Sequence, residues 1–262
     1  MDLELDGKIA LVTGGSRGIG RAIAERLALE GCDLLLVART ADDLANAARE
    51  IAAVSSRKVA WCAADVGTAD GIAATVAAIA DVFGRLDILV NNASGGGRHS
   101  TFLDLTDDDW ERAFALKVHG YVAMCRSCWP LLKTSHGAVI NIGGNFAKTP
   151  SANAFIGGAV GAAMTNFTKA LAGLGIVDDV NVNVVQPGGT VTTALGKLLG
   201  AQAAAQGISI DEVKKRNASV TGIRRYADPE DVAQMVAFLA SPRARHIQGT
   251  VAVVDGGATK EL

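Results

Sequence analysis

The chain has 262 residues, 49 % hydrophobic and 20 % charged, and 25 Lys and Arg against 27 Asp and Glu leave a formal net charge of -2. Such a composition fills a large core and excludes a disordered chain. With Lys214-Lys215-Arg216 as its one tight basic cluster, it presents no basic face for nucleic acid.

The acidic opening over residues 1–6 does not read as a secretory signal, and four cysteines suit a reducing cytoplasm. Strand-like apolar runs then alternate with helical patterns. Residues 8–12 precede a glycine-rich turn and a helix over 21–30. Residues 33–38 lead into Arg39 and a helix over 41–54, followed by a strand at 59–62, a helix over 68–83 and a strand at 86–90. A long helix is expected over 107–132, a strand at 138–142 and a second long helix over 152–174. Strands at 180–185 and 250–254 enclose a helix at 229–240.

Apolar runs buried on both faces and alternating with helices predict one α/β domain over 1–262, a doubly wound parallel sheet with helices on both faces. The polar, Ala/Gly-rich stretch 193–219 reads either as a lid over the strand ends or as an ordinary surface excursion. Residues 149–168 carry no charge over a membrane-spanning length, but their Ala, Gly, Ser, Thr and Asn content favours a closely packed buried helix, with no membrane contact. Cys125-x-x-Cys128 lies in a helical pattern without a second pair or a His at ligand spacing. It reads as two half-buried thiols rather than a metal site.

Thr13-Gly14-Gly15-Ser16-Arg17-Gly18-Ile19-Gly20 follows the first strand and opens the first helix. Glycines there permit a tight turn, let backbone approach a pyrophosphate, and let helix and strand pack closely. The helix N-terminus adds unpaired N–H groups and partial positive charge. The same residues fit G-x-S-x-G, the elbow of a serine hydrolase with Ser16 as nucleophile. That reading needs an acid and a His, of which only His246 is suitably late in the chain.

The spacing Thr-Gly-x-x-x-Gly-x-Gly, Asp65-Val66, Asn91-Asn92-Ala93-Ser94-Gly95, and Asn183-Val184-Val185-Gln186-Pro187-Gly188 followed by Thr190 and Thr192 form a set. With these motifs the chain resembles the short-chain dehydrogenase/reductase family over nearly its whole length, which implies a Rossmann-type fold and a carbonyl/alcohol oxidoreductase. The resemblance assigns a dinucleotide to Gly14, Ser16, Arg17, Gly18, Ile19, Gly20, Arg39, Asp65, Val66, Asn92, Ala93, Gly95, Pro187, Gly188, Thr190 and Thr192. An NAD site wants a carboxylate at the end of the second strand, where this chain has Ala38. Arg39 and Arg17 instead favour NADP(H) over NAD(H), unless both are solvated surface arginines. The resemblance also implies a homotetramer or homodimer joined through the long helices, and a small-molecule ligand that the sequence does not identify.

The family's chemistry rests on an Asn, a Ser, and a Tyr-x-x-x-Lys whose Lys lowers the Tyr pKa from about 10. Counting back from Thr168-Lys169-Ala170-Leu171-Ala172 puts Gly161 at the Lys position and Gly157 at the Tyr position. Gly144 stands for the Ser and Lys117 for the Asn. The two tyrosines, Tyr121 and Tyr226, lie in other motifs. The glycines reflect either relaxed selection with close packing or an enlarged floor for a bulkier ligand. Lys117 is the one catalytic candidate, reaching into space left at Gly161, with His99, Asn145, Lys148 and Asn153 as further polar candidates. The alternatives are a nucleotide-binding sensor or partner subunit without redox activity and, more remotely, the Ser16 hydrolase.

Overall fold

The computed structural model describes residues 1–95, 101–152 and 154–260. Seven parallel strands form its sheet: β1 (Ile9–Thr13), β2 (Asp33–Ala38), β3 (Val59–Ala63), β4 (Ile88–Asn91), β5 (Ala138–Ile142), β6 (Asn181–Pro187) and β7 (Val251–Val254). Their order is β3-β2-β1-β4-β5-β6-β7. The chain winds outward through β2 and β3, then returns to pair β4 with β1, Val12 opposite Val90. This reversal leaves a crevice beyond the C-terminal ends of β1 and β4, where an open α/β sheet binds its ligands.

Every residue of β1 and β5 is buried, because each face of the sheet carries helices. On one face Leu34, Leu36 and Val90 meet Ile23 and Leu27 of α1 (Gly18–Leu29), Ile51 of α2 (Ala41–Ser55) and Val236 of α9 (Pro229–Ala240). On the other, Leu11, Leu35 and Leu89 meet Ile79 of α3 (Ala69–Phe83), Met124 and Leu132 of α5 (Gly120–Ser135) and Ala172 of α6 (Phe155–Asp178). The doubly wound sheet expected from the alternating pattern is present.

Four local features differ from the sequence reading. The helix expected over 107–132 is α4 (Asp107–Ala113), a π-helical segment (Phe114–His119) and α5 in succession. Residues 193–219 hold two helices, α7 (Thr193–Gln206) and α8 (Ile210–Thr221), rather than an irregular excursion. Ser209 and Glu212 cap α8 reciprocally, and Leu199, Ala203 and Val213 bury a small cluster between the pair. Helix α6, which takes up most of the uncharged stretch 149–168, is only partly packed. Ile156, Val160 and Met164 are buried, while Leu174, Ile176 and Val177 are exposed on a helix long and apolar enough to cross a membrane. Cys125 and Cys128 are buried outright rather than half-buried, and desolvation pushes both thiols up to about 12.

A buried polar chain ties β4, β5 and α6 together beneath the crevice. Asn91 Nδ2 donates to Asn141 Oδ1 (2.9 Å), Asn141 Nδ2 to Thr168 Oγ1 (2.9 Å), and Thr168 Oγ1 to Met164 O (2.7 Å). Thr168→Val keeps the shape and strands the Asn141 amide, so it is expected to cost about 1–3 kcal/mol. Urea unfolding of the two proteins measures it.

Candidate functional site

The end of β1 is laced to the end of β4. Thr13 Oγ1 donates to Val90 O (3.3 Å) and accepts from the N–H groups of Asn92 (2.9 Å) and Ala93 (3.1 Å), while Asn92 Nδ2 donates to Thr13 O (3.0 Å). The turn that follows has no room for side chains. Gly14 has φ +67°, and a Cβ on Gly20 would sit 2.2 Å from Gly14 O and 2.3 Å from Asn92 Nδ2. Only glycine lets α1 start this close to the strand, and the start of α1 then faces the crevice.

One groove runs over that turn. Its walls include Gly14, residues 16–20, Arg39, Asp65, Val66, Asn92, Ala93, Gly95 and Thr192, so most of the proposed dinucleotide residues converge. Asp65 is held in place by the Gly67 N–H (2.9 Å). The side chains of Arg17 and Arg39 are exposed, with no ion pair or hydrogen bond among the described residues, and Ala38 beside Arg39 offers no carboxylate. Two charged side chains that the motifs did not flag also line the groove, Asp43 in the first turn of α2 and Lys197 in α7. Lys197 was missed because its segment reads as polar excursion. The spacing of Leu195, Leu199 and Ala203, every fourth residue, is the signal that marks a helix there.

Pro187, Gly188 and Thr190 lie at and just beyond the end of β6. Gly188 N–H donates to Val254 O (3.0 Å), and a Cβ on Gly188 would lie 2.6 Å from Asp255 Cβ, so this glycine serves the packing of β6 on the end of β7. Thr190 bridges to Ala227 and donates its hydroxyl to Gly188 O (3.1 Å).

At the end of β5, Lys117 reaches Gly143 and Gly161 lies beside Gly144. Cβ atoms added to Gly144 or Gly157 would meet nothing within 4 Å among the described residues, leaving a bare floor there. Gly161 is different: its Cβ would come within 3.2 Å of Ala147 Cβ and 3.7 Å of Gly144 O, so close packing explains that glycine. Lys117 reaches the same strand end. It extends from the π-helical segment to donate from Nζ to Gly143 O (2.9 Å). Burial lowers its pKa from the ordinary 10.5 to about 8.

The other candidates take structural places. Tyr121, fully buried, donates weakly to Ile142 O (3.5 Å), and burial raises its pKa beyond the ordinary value. Tyr226 packs on Gly189. Asn145 lies near Asp255 and helps hold its carboxyl below the ordinary value. Lys148 closes the 3₁₀ turn Asn145–Ala147. His99 and Asn153 lie outside the described residues. Ser16 makes no side-chain hydrogen bond to a histidine or carboxylate among the described residues, so the hydrolase reading finds no base.

Comparison with known proteins adds four findings. The family model described as enoyl-(acyl carrier protein) reductase matches residues 14–259. The L-sorbose reductase of Gluconobacter frateurii, solved with NADPH and L-sorbose, superposes with a TM-score of 0.96 at 36 % identity, covering 100 % of both chains. An uncharacterized oxidoreductase of Mycobacterium tuberculosis is 34 % identical over 258 residues, 98 % of this chain and 94 % of its own. A 3-ketoacyl-(acyl-carrier-protein) reductase of Brucella melitensis, solved with NADH, has a TM-score of 0.85 at 28 % identity, covering 98 % of this chain and 100 % of its own.

The glycines separate into two experimental classes. Gly20→Ala drives a methyl into the Gly14 carbonyl and is expected to abolish dinucleotide binding, read by NADPH fluorescence titration, and to cost about 1–3 kcal/mol of stability. Gly157→Ala enters open space within a helix and is expected to stabilise by about 0.5–1 kcal/mol, read by the shift in Tm.

Proposed function

The chain belongs to the short-chain dehydrogenase/reductase family of oxidoreductases, and on that premise we propose that it binds NADP(H) in preference to NAD(H) and reduces a small-molecule carbonyl with Lys117 as proton donor. The groove fits the cofactor. Backbone at Gly14 and Gly20 admits a pyrophosphate, and the two unpaired guanidinium groups of Arg17 and Arg39 present forked donors to a 2′-phosphate. Bound NADPH supplies a hydride to the carbonyl carbon.

Lys117 Nζ gives its proton to the carbonyl oxygen and recovers one from solvent. The observation that carries this role is its 2.9 Å hydrogen bond to Gly143 O, which holds the ammonium at the end of β5 beside the open space at Gly144. With its pKa near 8, Lys117 is charged at neutral pH yet gives up its proton more readily than an exposed lysine. The L-sorbose reductase, solved with NADPH, supports the cofactor choice. Exposed Leu174, Ile176 and Val177 on α6 support association of copies through the long helices, as a homodimer or homotetramer.

A second reading, nucleotide binding without turnover in a sensor or partner subunit, is favoured by the absence of a Tyr or Ser hydroxyl at Gly144 and Gly157. NADPH binding without oxidation across a panel of ketones and aldehydes establishes it and ends the reductase proposal.

For the reductase, Lys117→Gln is expected to lower kcat by about 100-fold or more while NADPH still binds, as measured by NADPH absorbance and fluorescence. Because the charged form is the donor, reduction is expected to fall as pH rises through about 8, and the variant's residual rate to stay flat there. Stability runs the other way. The folded pKa near 8 lies below the ordinary 10.5, so the unfolded chain binds more protons between the two, and stability rises with pH across that window. Lys117→Met removes the buried charge and is expected to raise Tm at pH 7 more than at pH 10.5; melts at the two pH values check it.

A further inference from the structure

We propose that Lys197 is a pyrophosphate-binding residue, closing the dinucleotide groove from the side opposite the glycine turn. The proposal rests on the dinucleotide reading above and assigns a role to a residue outside its motifs.

The position of Lys197 follows from how α7 begins. Thr192 caps the helix, its Oγ1 accepting from Leu195 N–H (3.4 Å). Its methyl carbon would lie 3.4 Å from a Cβ on Gly18, so the start of α7 packs against the start of α1. The start of α1 is where the glycine turn and the helix N–H groups receive a pyrophosphate. Thr193, Ala194 and Lys197 all line the groove. Spaced at i, i+1 and i+4, they share one side of the helix. Leu195, Leu199 and Ala203 pack on the other side with Ile208, Val213 and Tyr226. This apolar seam sets the rotation of α7 and leaves Lys197 towards the groove.

No structural duty competes for the ammonium. Lys197 is exposed and has no ion pair or hydrogen bond among the described residues. Charge complementarity points the same way. Arg39 follows β2, one strand out from the turn, and together with Arg17 it answers a 2′-phosphate. Asp43 and Asp65 add negative charge to the same groove. A pyrophosphate brings two further negative charges over Gly18, where the helix N-terminus offers only partial charge. Lys197 is the remaining cation on that wall, and an ammonium on a flexible stem suits a phosphate oxygen that needs no forked partner.

Calorimetric titration of wild type, Lys197→Gln, Lys197→Arg and Arg39→Gln with NADPH, ADP-ribose and adenosine 2′-monophosphate tests the assignment. ADP-ribose carries the pyrophosphate without the 2′-phosphate, and adenosine 2′-monophosphate the reverse. Lys197→Gln is expected to weaken NADPH and ADP-ribose alike by about fivefold, with adenosine 2′-monophosphate unchanged and Lys197→Arg restoring most of the loss. Arg39→Gln is expected to show the opposite ligand pattern. Unchanged NADPH and ADP-ribose affinities in Lys197→Gln, or an equal loss for adenosine 2′-monophosphate, overturn the assignment while leaving the dinucleotide reading intact. Wild type that binds neither NADPH nor ADP-ribose overturns both.

Discussion

The geometry of the crevice depends on one constraint, the lacing of β1 to β4 through Thr13 and Asn92. A buried hydroxyl and a carboxamide satisfy the backbone groups that two strands leave open where they end side by side. With those ends fixed, the next turn must pass between the Asn92 amide and the start of α1, and a methyl at Gly20 would lie 2.2 Å from Gly14 O. The direction of α1 follows, and with it the seat of α9, whose Val236 shares a buried cluster with Ile23 and Leu27. The binding groove is thus a consequence of backbone closure and needs few particular side chains.

The end of β5 is organised differently. A buried cation is held by one carbonyl, and the six-residue π-helical segment is what carries it there. Such widened turns shift the side chains that follow them and often occur at functional sites. Desolvating an ammonium is expensive, and the depressed pKa of Lys117 is the direct expression of that cost. The glycines around it do not share one explanation. Gly161, approached by Ala147, and Gly158, whose Cβ would lie 3.1 Å from Phe146 O, sit where a larger residue would be tightly packed. A Cβ on Gly144 or Gly157 would meet nothing within 4 Å among the described residues, and at Gly157, inside α6, glycine costs about 1 kcal/mol against alanine. Packing therefore bears on part of the family departure, while Gly144 and Gly157 leave open space among the described residues.

The sheet was legible because strands buried on both faces leave unbroken apolar runs such as Leu34, Leu35, Leu36 and Val37. The glycine turn was legible because its steric demand admits one residue type. The helices α7 and α8 escaped notice because their apolar residues are few, diluted by Ala and Gln, and packed on a satellite cluster rather than on the sheet. The π-helical segment has no propensity signature, since its residues would serve an α-helix equally well. The Lys117 contact could not be read from sequence at all, because its acceptor is a backbone carbonyl 26 residues away. The packing of Gly188 and Thr190 on Asp255, Val254 and Ala227 is likewise set by contacts that no spacing rule reveals.

These differences bear on how binding and chemistry can separate in one chain. A groove made by backbone closure persists while side chains around it change, since losing it would mean losing the β1–β4 closure as well. A proton donor is one side chain, and its environment supplies its pKa, so replacement at that position leaves the sheet undisturbed. Lys117 fits this logic: it replaces a side chain at the family's Asn position, acquires a low pKa from burial alone, and takes its anchor from a carbonyl that the strand provides in any case. The two ends of the crevice are therefore under different physical control, steric at the glycine turn and electrostatic at the end of β5.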